Sequence, residues 1–123
     1  MKRREDQTKK LERLEAFEER LGVRLEALYA TISESSGYTV DDAFLPGICV
    51  TGELHPKDGT TIAQRVKIVA DAYDAEGRVI CTSGISCSDP ETFFGYETFE
   101  VLVGGIPAEQ IKKIRVYPKA TRY

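Results

Sequence analysis

Apolar residues near the start of the chain recur at steps of three and four positions. The stripe consists of Leu11, Leu14, Phe17 and Leu21. Charged residues occupy most of the positions between them, and this spacing predicts an amphipathic helix over residues 4–21. Gly22 follows, where a glycine commonly ends a helix with a positive φ. The helical period also continues over residues 25–32, but a helix through Gly22 would cost about 1 kcal/mol, so a stop at Gly22 is favoured over that alternative.

From Val23 onward the apolar pattern alternates, although Leu28 and Ile32 interrupt the alternation in the first run. Further strand-like runs occupy residues 47–54, 61–74, 77–86, 92–103 and 110–119. Turn-forming Gly, Pro, Asp and Ser residues lie at their boundaries. Short strands at this spacing, with no helical run between them, indicate an antiparallel β-sandwich of six or seven strands. The pattern leaves open whether residues 22–33 are helix or strand.

The segment Asp74-Ala75-Glu76-Gly77 joins two of these runs. Asp at the start of a turn accepts backbone N–H bonds, and Gly at its end adopts a positive φ without steric cost. A cation loop built on Asp71, Asp74 and Glu76 is the alternative, but calcium requires about six to eight oxygen ligands from a shaped loop. The segment therefore predicts the corner of a β-hairpin.

Four segments, VTGEL, VKIVADAYDAEGRVI, FEV and IKKIRVYP, resemble the FxLYD-type domains and related immunoglobulin-like sandwiches. The matching residues are Val50-Thr51-Gly52, Tyr73-Asp74, Gly77, Val79 and Phe99. Ala70 and Ala72 stand where the family has the Phe and Leu of its name. The resemblance spans residues 23–119. It implies an immunoglobulin-like fold and an adaptor or binding role, with no catalytic residues to carry over.

The expected fold class is therefore mainly β: an antiparallel immunoglobulin-like β-sandwich with an N-terminal amphipathic α-helix. A chain of 123 residues suits one domain with an appendage. We expect a charged amphipathic helix over residues 1–22 and a β-sandwich domain over residues 23–123. A helix of this length is marginal alone in water. Its apolar stripe therefore requires a covering surface, either on its own sandwich or on another chain.

Charge is distributed unevenly along the chain, although the net charge is only −3. Residues 1–10 and 110–123 each hold five Lys and Arg, whereas residues 23–109 hold five Lys and Arg against fourteen Asp and Glu. The small net charge and the acidic middle argue against a nucleic-acid partner. The basic ends are either solvated or dock on an acidic partner, a second copy of the chain included.

Neither a membrane span nor a disulfide framework is expected. The apolar runs are shorter than the roughly 20 residues that a span requires. The basic N-terminus precedes a charged segment and not an apolar signal core, so we expect a cytoplasmic location without membrane partners. The three cysteines, Cys49, Cys81 and Cys87, form no Cys-x-x-Cys pair and are expected to be free thiols. A Cys81–Cys87 bridge is the alternative.

Candidate catalytic and metal-binding residues are few. The only histidine is His55, and one histidine with scattered cysteines does not match zinc-ligand spacing. We therefore expect no metal or other cofactor. A catalytic Cys–His pair would require direct contact, which the spacing does not indicate. The acidic pairs Asp41/Asp42 and Asp89/Glu91 lie in loops, where Asp is common because it forms turns. The chain is predicted not to be an enzyme.

Aromatic residues cluster within the fifth strand-like run, at Phe93, Phe94, Tyr96 and Phe99. Successive residues of a strand point to opposite faces, so Phe93 and Phe94 cannot both enter one core. Either the N-terminal helix covers the outward ring, or the ring belongs to a patch for a partner or ligand.

Together these patterns predict a non-enzymatic protein-interaction module. The helix stripe would mediate self-association or docking, and the sandwich would present its aromatic residues to a protein partner, with homo-oligomers included. The alternative is a small-molecule-binding or hydrolytic sandwich that uses the acidic loops at Asp41/Asp42 and Asp89/Glu91. That alternative requires a concave pocket with converging polar groups.

Overall fold

The structure, a computed structural model, describes residues 6–33, 47–84 and 88–121. Within these ranges the chain forms seven strands, one α-helix and two short 3-10 turns. The strands are β1 (Leu11–Arg13), β2 (Val23–Ser33), β3 (Gly47–Pro56), β4 (Val66–Tyr73), β5 (Val79–Gly84), β6 (Glu97–Gly104) and β7 (Lys113–Ala120). The α-helix, α1, is Glu15–Leu21, and the 3-10 turns are Thr8–Lys10 and Ala108–Gln110. The predicted mainly β class is confirmed.

The strands form two sheets. The three-stranded sheet has the order β2-β3-β6, and the four-stranded sheet has the order β1-β7-β4-β5. Every pairing is antiparallel except that of β1 with β7, which is parallel. The chain thus forms β2 and β3 in one sheet, crosses to β4 and β5 in the other, and returns to place β6 beside β3.

One hydrophobic core joins the inner faces of both sheets. The alternation of residues 66–72 predicts its contribution from β4, since Val66, Ile68, Ala70 and Ala72 are all buried. Strands β6 and β7 contribute residues of one parity in the same way, among them Val101 and Ile114. Burial of alternate apolar residues from two facing sheets is the main favourable free-energy term for a fold of this kind.

The predicted N-terminal helix over residues 4–21 is wrong in its extent. The helix begins at Glu15, and Leu11–Arg13 instead forms β1. Leu11 is aligned with Ile114 and Arg13 with Val116 in the parallel pairing with β7. Backbone hydrogen bonds to a sheet and burial of Leu11 against the core outweigh the modest helix propensity of this segment. Its residues therefore belong to the four-stranded sheet and do not form a separate helical arm.

The helix ends as predicted, and residues 23–33 are a strand. Gly22 adopts a left-handed conformation with φ 70° and donates its N–H to the Glu19 carbonyl at 3.1 Å. In β2 the register shifts between Glu26 and Tyr29, and Ala27 has φ 56°. Such a β-bulge reverses which face each later residue occupies. It explains why Leu28 falls outside the alternation.

The predicted hairpin corner is confirmed between β4 and β5. Asp74 accepts the N–H of Gly77 on its carbonyl at 3.0 Å, and its N–H donates to the Arg78 carbonyl at 3.0 Å. Its side-chain Oδ1 also accepts the N–H groups of Glu76 and Arg78, each at 2.9 Å. These backbone bonds, that of Arg78 foremost, lower the pKa of Asp74. The carboxylate is therefore used to form the turn.

Candidate interaction surface

The turn before β6, residues 88–96, is named the aromatic turn here. Ser88 exchanges two backbone hydrogen bonds with Val66, at 2.7 and 3.0 Å, which attaches the turn to the start of β4. The Asp89 carbonyl accepts the N–H groups of Thr92 and Phe93 at 3.1 and 3.0 Å. Phe93 is only 4% exposed and belongs to the core. The turn is thus anchored by backbone bonds and by one buried ring.

Phe94 points away from this anchor and is 77% exposed, and Tyr96 is 52% exposed. Gly95 lies between them with φ 79°, a conformation that costs other residues about 1–2 kcal/mol. Its N–H donates to the Thr60 carbonyl at 2.8 Å, and the Tyr96 N–H donates to the Phe94 carbonyl at 2.9 Å. Because the backbone is fixed on both sides of it, Phe94 is held outward by a defined turn.

Tyr96 continues the exposed aromatic surface toward the three-stranded sheet. Its ring stacks on His55 with the centroids 5.2 Å apart and the planes 9° from parallel. His55 Nε2 lies 2.9 Å from Glu53 Oε1 and 4.0 Å from Glu26 Oε1. The histidine therefore interacts with a ring and two carboxylates. The two described cysteines make their side-chain contacts elsewhere, Cys49 with Glu100 and Cys81 with Ser83. Neither of these contacts is the Cys–His pair considered from the sequence.

A second apolar feature lies where α1 meets the end of β7. The Leu14 N–H, at the start of the helix, donates to the Val116 carbonyl at 3.4 Å, and the Phe17 ring packs on Tyr117 at 5.0 Å. Phe17 remains 47% exposed. Beside it is a groove of about 260 Å³, named the helix groove, whose lining residues are Phe17, Arg20, Leu21, Pro118, Lys119 and Ala120.

Helix α1 is fixed in place by a buried carboxylate. Glu18 is 3% exposed and accepts hydrogen bonds from Arg13 Nε at 3.0 Å, Arg13 Nη2 at 2.6 Å and the Leu25 N–H at 3.1 Å. The paired guanidinium and these bonds compensate the cost of burying a charge. The bond to Glu18 also raises the pKa of Arg13. One side chain thereby joins β1, α1 and β2.

Tyr117, which supports Phe17, belongs to a polar network on the outer face of the four-stranded sheet. Its hydroxyl donates to Asp71 Oδ2 at 2.9 Å. Burial first, and then this hydrogen bond, raise the pKa of Tyr117 to about 12. Beside it Arg115 donates to Glu12 at 3.1 Å and lies 5.0 Å over the Tyr73 ring. The network holds the Tyr117 ring, which we call the helix platform, beneath Phe17.

The helix groove and the aromatic turn lie at the same end of the two sheets. Val23 is aligned with Pro56, Leu54 with Glu97, and Val66 with Ala120. The loop after β3 connects the two features, because Lys57 donates its N–H to the Gly22 carbonyl at 2.8 Å and Thr60 accepts from Gly95. We call this region, comprising the helix groove, residues 57–61 and the aromatic turn, the end surface.

The predicted interaction residues fall into three groups. Leu11 and Leu14 are partly buried at β1 and the start of α1, so the stripe does not run along one helix. Phe17 and Leu21 line the helix groove. Of the aromatic cluster, Phe93 is buried, whereas Phe94 and Tyr96 are exposed. Helix α1 packs on β2 and β7 and leaves Phe94 uncovered by any described residue.

Only some of the polar candidates lie among the described residues. Asp89 and Glu91 belong to the aromatic turn, where Asp89 Oδ1 accepts the Glu91 N–H at 3.1 Å. Asp41, Asp42 and Cys87 lie outside the described residues. Among the residues that are described, no three His, Cys, Asp or Glu side chains are arranged to hold a metal ion. Cys81 is a free thiol, and Cys49 donates to Glu100 at 3.1 Å.

Sequence reasoning did not identify Arg20, Lys119 or the buried role of Glu18. The groove combines a helix with a strand roughly one hundred residues later, and no local pattern encodes that contact. Glu18 carried one usable signal, since it faces the same side as the apolar residues Leu14 and Leu21 on a helical projection. A charged residue on an apolar face indicates a buried partner.

Comparison with protein-family models, with curated proteins and with solved structures finds no match to this chain. Of the helices that the structure describes, none has the length and apolar character needed to cross a membrane.

Proposed function

We propose that this chain is a non-enzymatic protein-interaction module and that it binds a protein partner through its end surface. The observation that carries the proposal is the exposure of Phe94, 77% of which is accessible although the turn around it is fixed. Large aromatic rings that are exposed but pre-organised are the residues that dominate binding energy at protein interfaces.

The second support is that the fold does not account for Phe94. Its neighbour Phe93 fills the core, whereas Phe94 lies outside it. Removing the Phe94 ring therefore leaves no cavity in the core. Tyr96 and Phe17 add exposed aromatic area at the same end of the molecule. An exposed apolar cluster bordered by charged residues is typical of a binding surface.

We also propose that the two sheets form an immunoglobulin-like sandwich of the FxLYD type, with the adaptor role that this resemblance implies. The chain path supports it, since successive strands cross between sheets and β6 returns beside β3, as in Greek-key sandwiches. The hairpin capped by Asp74 lies at the Tyr-Asp-x-x-Gly segment that carries the resemblance. The parallel strand β1 departs from the simple pattern.

A cytoplasmic location remains part of the proposal. The free thiol of Cys81 supports a reducing compartment, because exported proteins usually pair their cysteines. The proposal includes neither a nucleic-acid nor a membrane partner.

Site-specific photo-cross-linking tests the proposed function. A photoreactive amino acid replaces Phe94 in one variant and Val79 in a matched control, since Val79 is also apolar and 54% exposed but lies at the hairpin end of β5. Irradiation in cells should give a discrete protein adduct from position 94 and none from position 79. The proposal is refuted if position 94 gives no adduct, or if both positions give the same adducts.

A further inference from the structure

The end surface also carries features that indicate its protein partner, an inference that rests on the proposed function. We infer that the end surface binds a second copy of this chain in a two-fold symmetric dimer, in which Phe94 of each copy enters the helix groove of the other. Three properties of the end surface support this arrangement: the placement of its two features, the size of the groove and the distribution of charge.

The placement permits closed symmetry. The projecting ring and the groove are separate features on one end of the same molecule, joined through residues 57–61. A two-fold axis between them brings the ring of each copy to the groove of the other. Such an isologous contact closes after two copies and uses one patch twice. Had the two features been at opposite ends, the same contact would join copies head to tail, into a ring or an open filament.

The size of the groove suits one aromatic ring. Its volume is about 260 Å³, and a cavity of about 150 Å³ is sufficient for benzene. Four of its six lining residues are apolar: Phe17, Leu21, Pro118 and Ala120. The exposed edge of Phe17 is available to pack on an incoming ring, and such aromatic pairs add to the energy of area burial.

The charges of the two features are opposite. The two charged residues of the helix groove are Arg20 and Lys119, both exposed and without an ion pair among the described residues. Residues 88–97, which present Phe94, contain Asp89, Glu91 and Glu97 but no Lys or Arg. Seating Phe94 in the groove of a second copy therefore brings acidic side chains toward Arg20 and Lys119. Complementary charge fixes the orientation of such a contact and disfavours other partners.

Sedimentation velocity over a range of concentrations tests the inference on the full chain. We expect a reversible monomer–dimer equilibrium whose dissociation constant rises at least tenfold in Phe94→Asp, as for an aromatic anchor. Leu102→Asp is the matched control, since Leu102 is 41% exposed at the far end of β6, and it should leave the constant within about twofold.

A mixing experiment tests the reciprocal contact. Ala120→Trp fills the groove and Phe94→Asp removes the ring, so each variant alone loses both contacts of the dimer. Their equimolar mixture keeps one intact contact, between the ring of the first variant and the groove of the second. It should associate more tightly than either variant alone and more weakly than the parent chain. A mixture no tighter than its components overturns the two-fold arrangement.

The outcomes separate this inference from the proposed function. A parent chain that stays monomeric up to millimolar concentration, or a dimer indifferent to Phe94→Asp, overturns the inference. In either case a cross-linked adduct at position 94 whose mass is not twice that of the chain would still support a binding surface for a different protein. An adduct of twice the chain mass, together with the mixing result, supports both.

Discussion

Apolar residues are concentrated in two regions of the chain, yet the fold uses these regions differently. They are the N-terminal segment, residues 6–22, and the aromatic turn, residues 88–96. In the first, backbone pairing of β1 with β7 is joined by side-chain contacts: Leu11 packs against the core, and Glu18 bonds to Arg13 and to the Leu25 N–H. In the second, backbone bonds and the buried Phe93 ring hold the turn, and Phe94 remains outside the core. Substitutions in the first should therefore cost folding free energy, whereas those at Phe94 should cost binding alone.

Phe93 and Phe94 give the largest expected contrast between adjacent residues. Phe93→Ala removes a buried ring from the core and should lower the free energy of unfolding by about 3–5 kcal/mol. Phe94→Ala should stay within about 0.5 kcal/mol of the parent, as for an exposed residue. Urea unfolding at low chain concentration, where any dimer dissociates, measures both. Comparable losses in the two variants would remove the basis for assigning Phe94 to binding.

Glu18 is expected to have the next largest effect, because it carries the attachment of the N-terminal segment. Glu18→Ala leaves the Leu25 N–H and the Arg13 guanidinium without their shared acceptor. The free energy of unfolding should therefore fall by about 2–3 kcal/mol. Glu19→Ala is the control: its pair with Lys57 is exposed and worth less than about 1 kcal/mol. Equal effects of the two substitutions in urea unfolding would contradict the role given to Glu18.

Gly95→Ala tests whether the aromatic turn depends on its backbone. With φ 79°, an added Cβ should cost about 1–2 kcal/mol, and because the turn presents Phe94, association should weaken as well. Gly84→Ala is the control, since an added Cβ there meets only one backbone atom, the Ile68 carbonyl oxygen, at 3.6 Å. Unfolding free energy and sedimentation are measured on both variants. A Gly95→Ala chain with unchanged stability and association would show that the turn conformation is not required.

Tyr117→Phe is expected to have the smallest effect on the free energy of unfolding. Tyr117 also provides a spectroscopic probe of the helix platform. Its pKa of about 12 in the folded state exceeds the ordinary value of about 10, so the folded state holds this proton more tightly than the unfolded state. The resulting stability is fully present below about pH 10 and is lost as the pH rises toward 12. Tyr117→Phe should remove this part of the alkaline loss.

Tyrosinate absorbance follows this titration, and we expect the late-titrating signal of Tyr117 to disappear in Tyr117→Phe. Because Phe17 packs on Tyr117, loosening α1 through Glu18→Ala should lower that late pKa toward 10. An unchanged late titration in Glu18→Ala would indicate that the platform does not depend on the helix.

Features encoded over a few residues could be predicted from the sequence. The Asp74–Gly77 corner, the helix stop at Gly22 and the buried parity of β4 all follow from local pattern, and the structure agrees. The alternation of side chains along a strand also predicted that one of Phe93 and Phe94 points outward. Both residues nevertheless lie in a turn before β6 and not in the strand itself.

Features that depend on distant partners could not be predicted in the same way. Leu11–Arg13 has helical spacing, but β7 offers it a sheet edge about one hundred residues later, and pairing there overrides local propensity. The bulge at Ala27 reverses an alternation that periodicity treats as continuous. The helix groove depends on the first of these features, since α1 directly follows β1 and β1 pairs with β7.

Amide hydrogen exchange at a dilute and a concentrated condition most directly tests whether binding occurs at the end surface. We predict added protection at high concentration in residues 94–96, residues 17–21 and residues 119–120, with no change in β5 (Val79–Gly84). Protection confined to β5, or equal protection across the chain, would show that the copies meet elsewhere and would contradict the account.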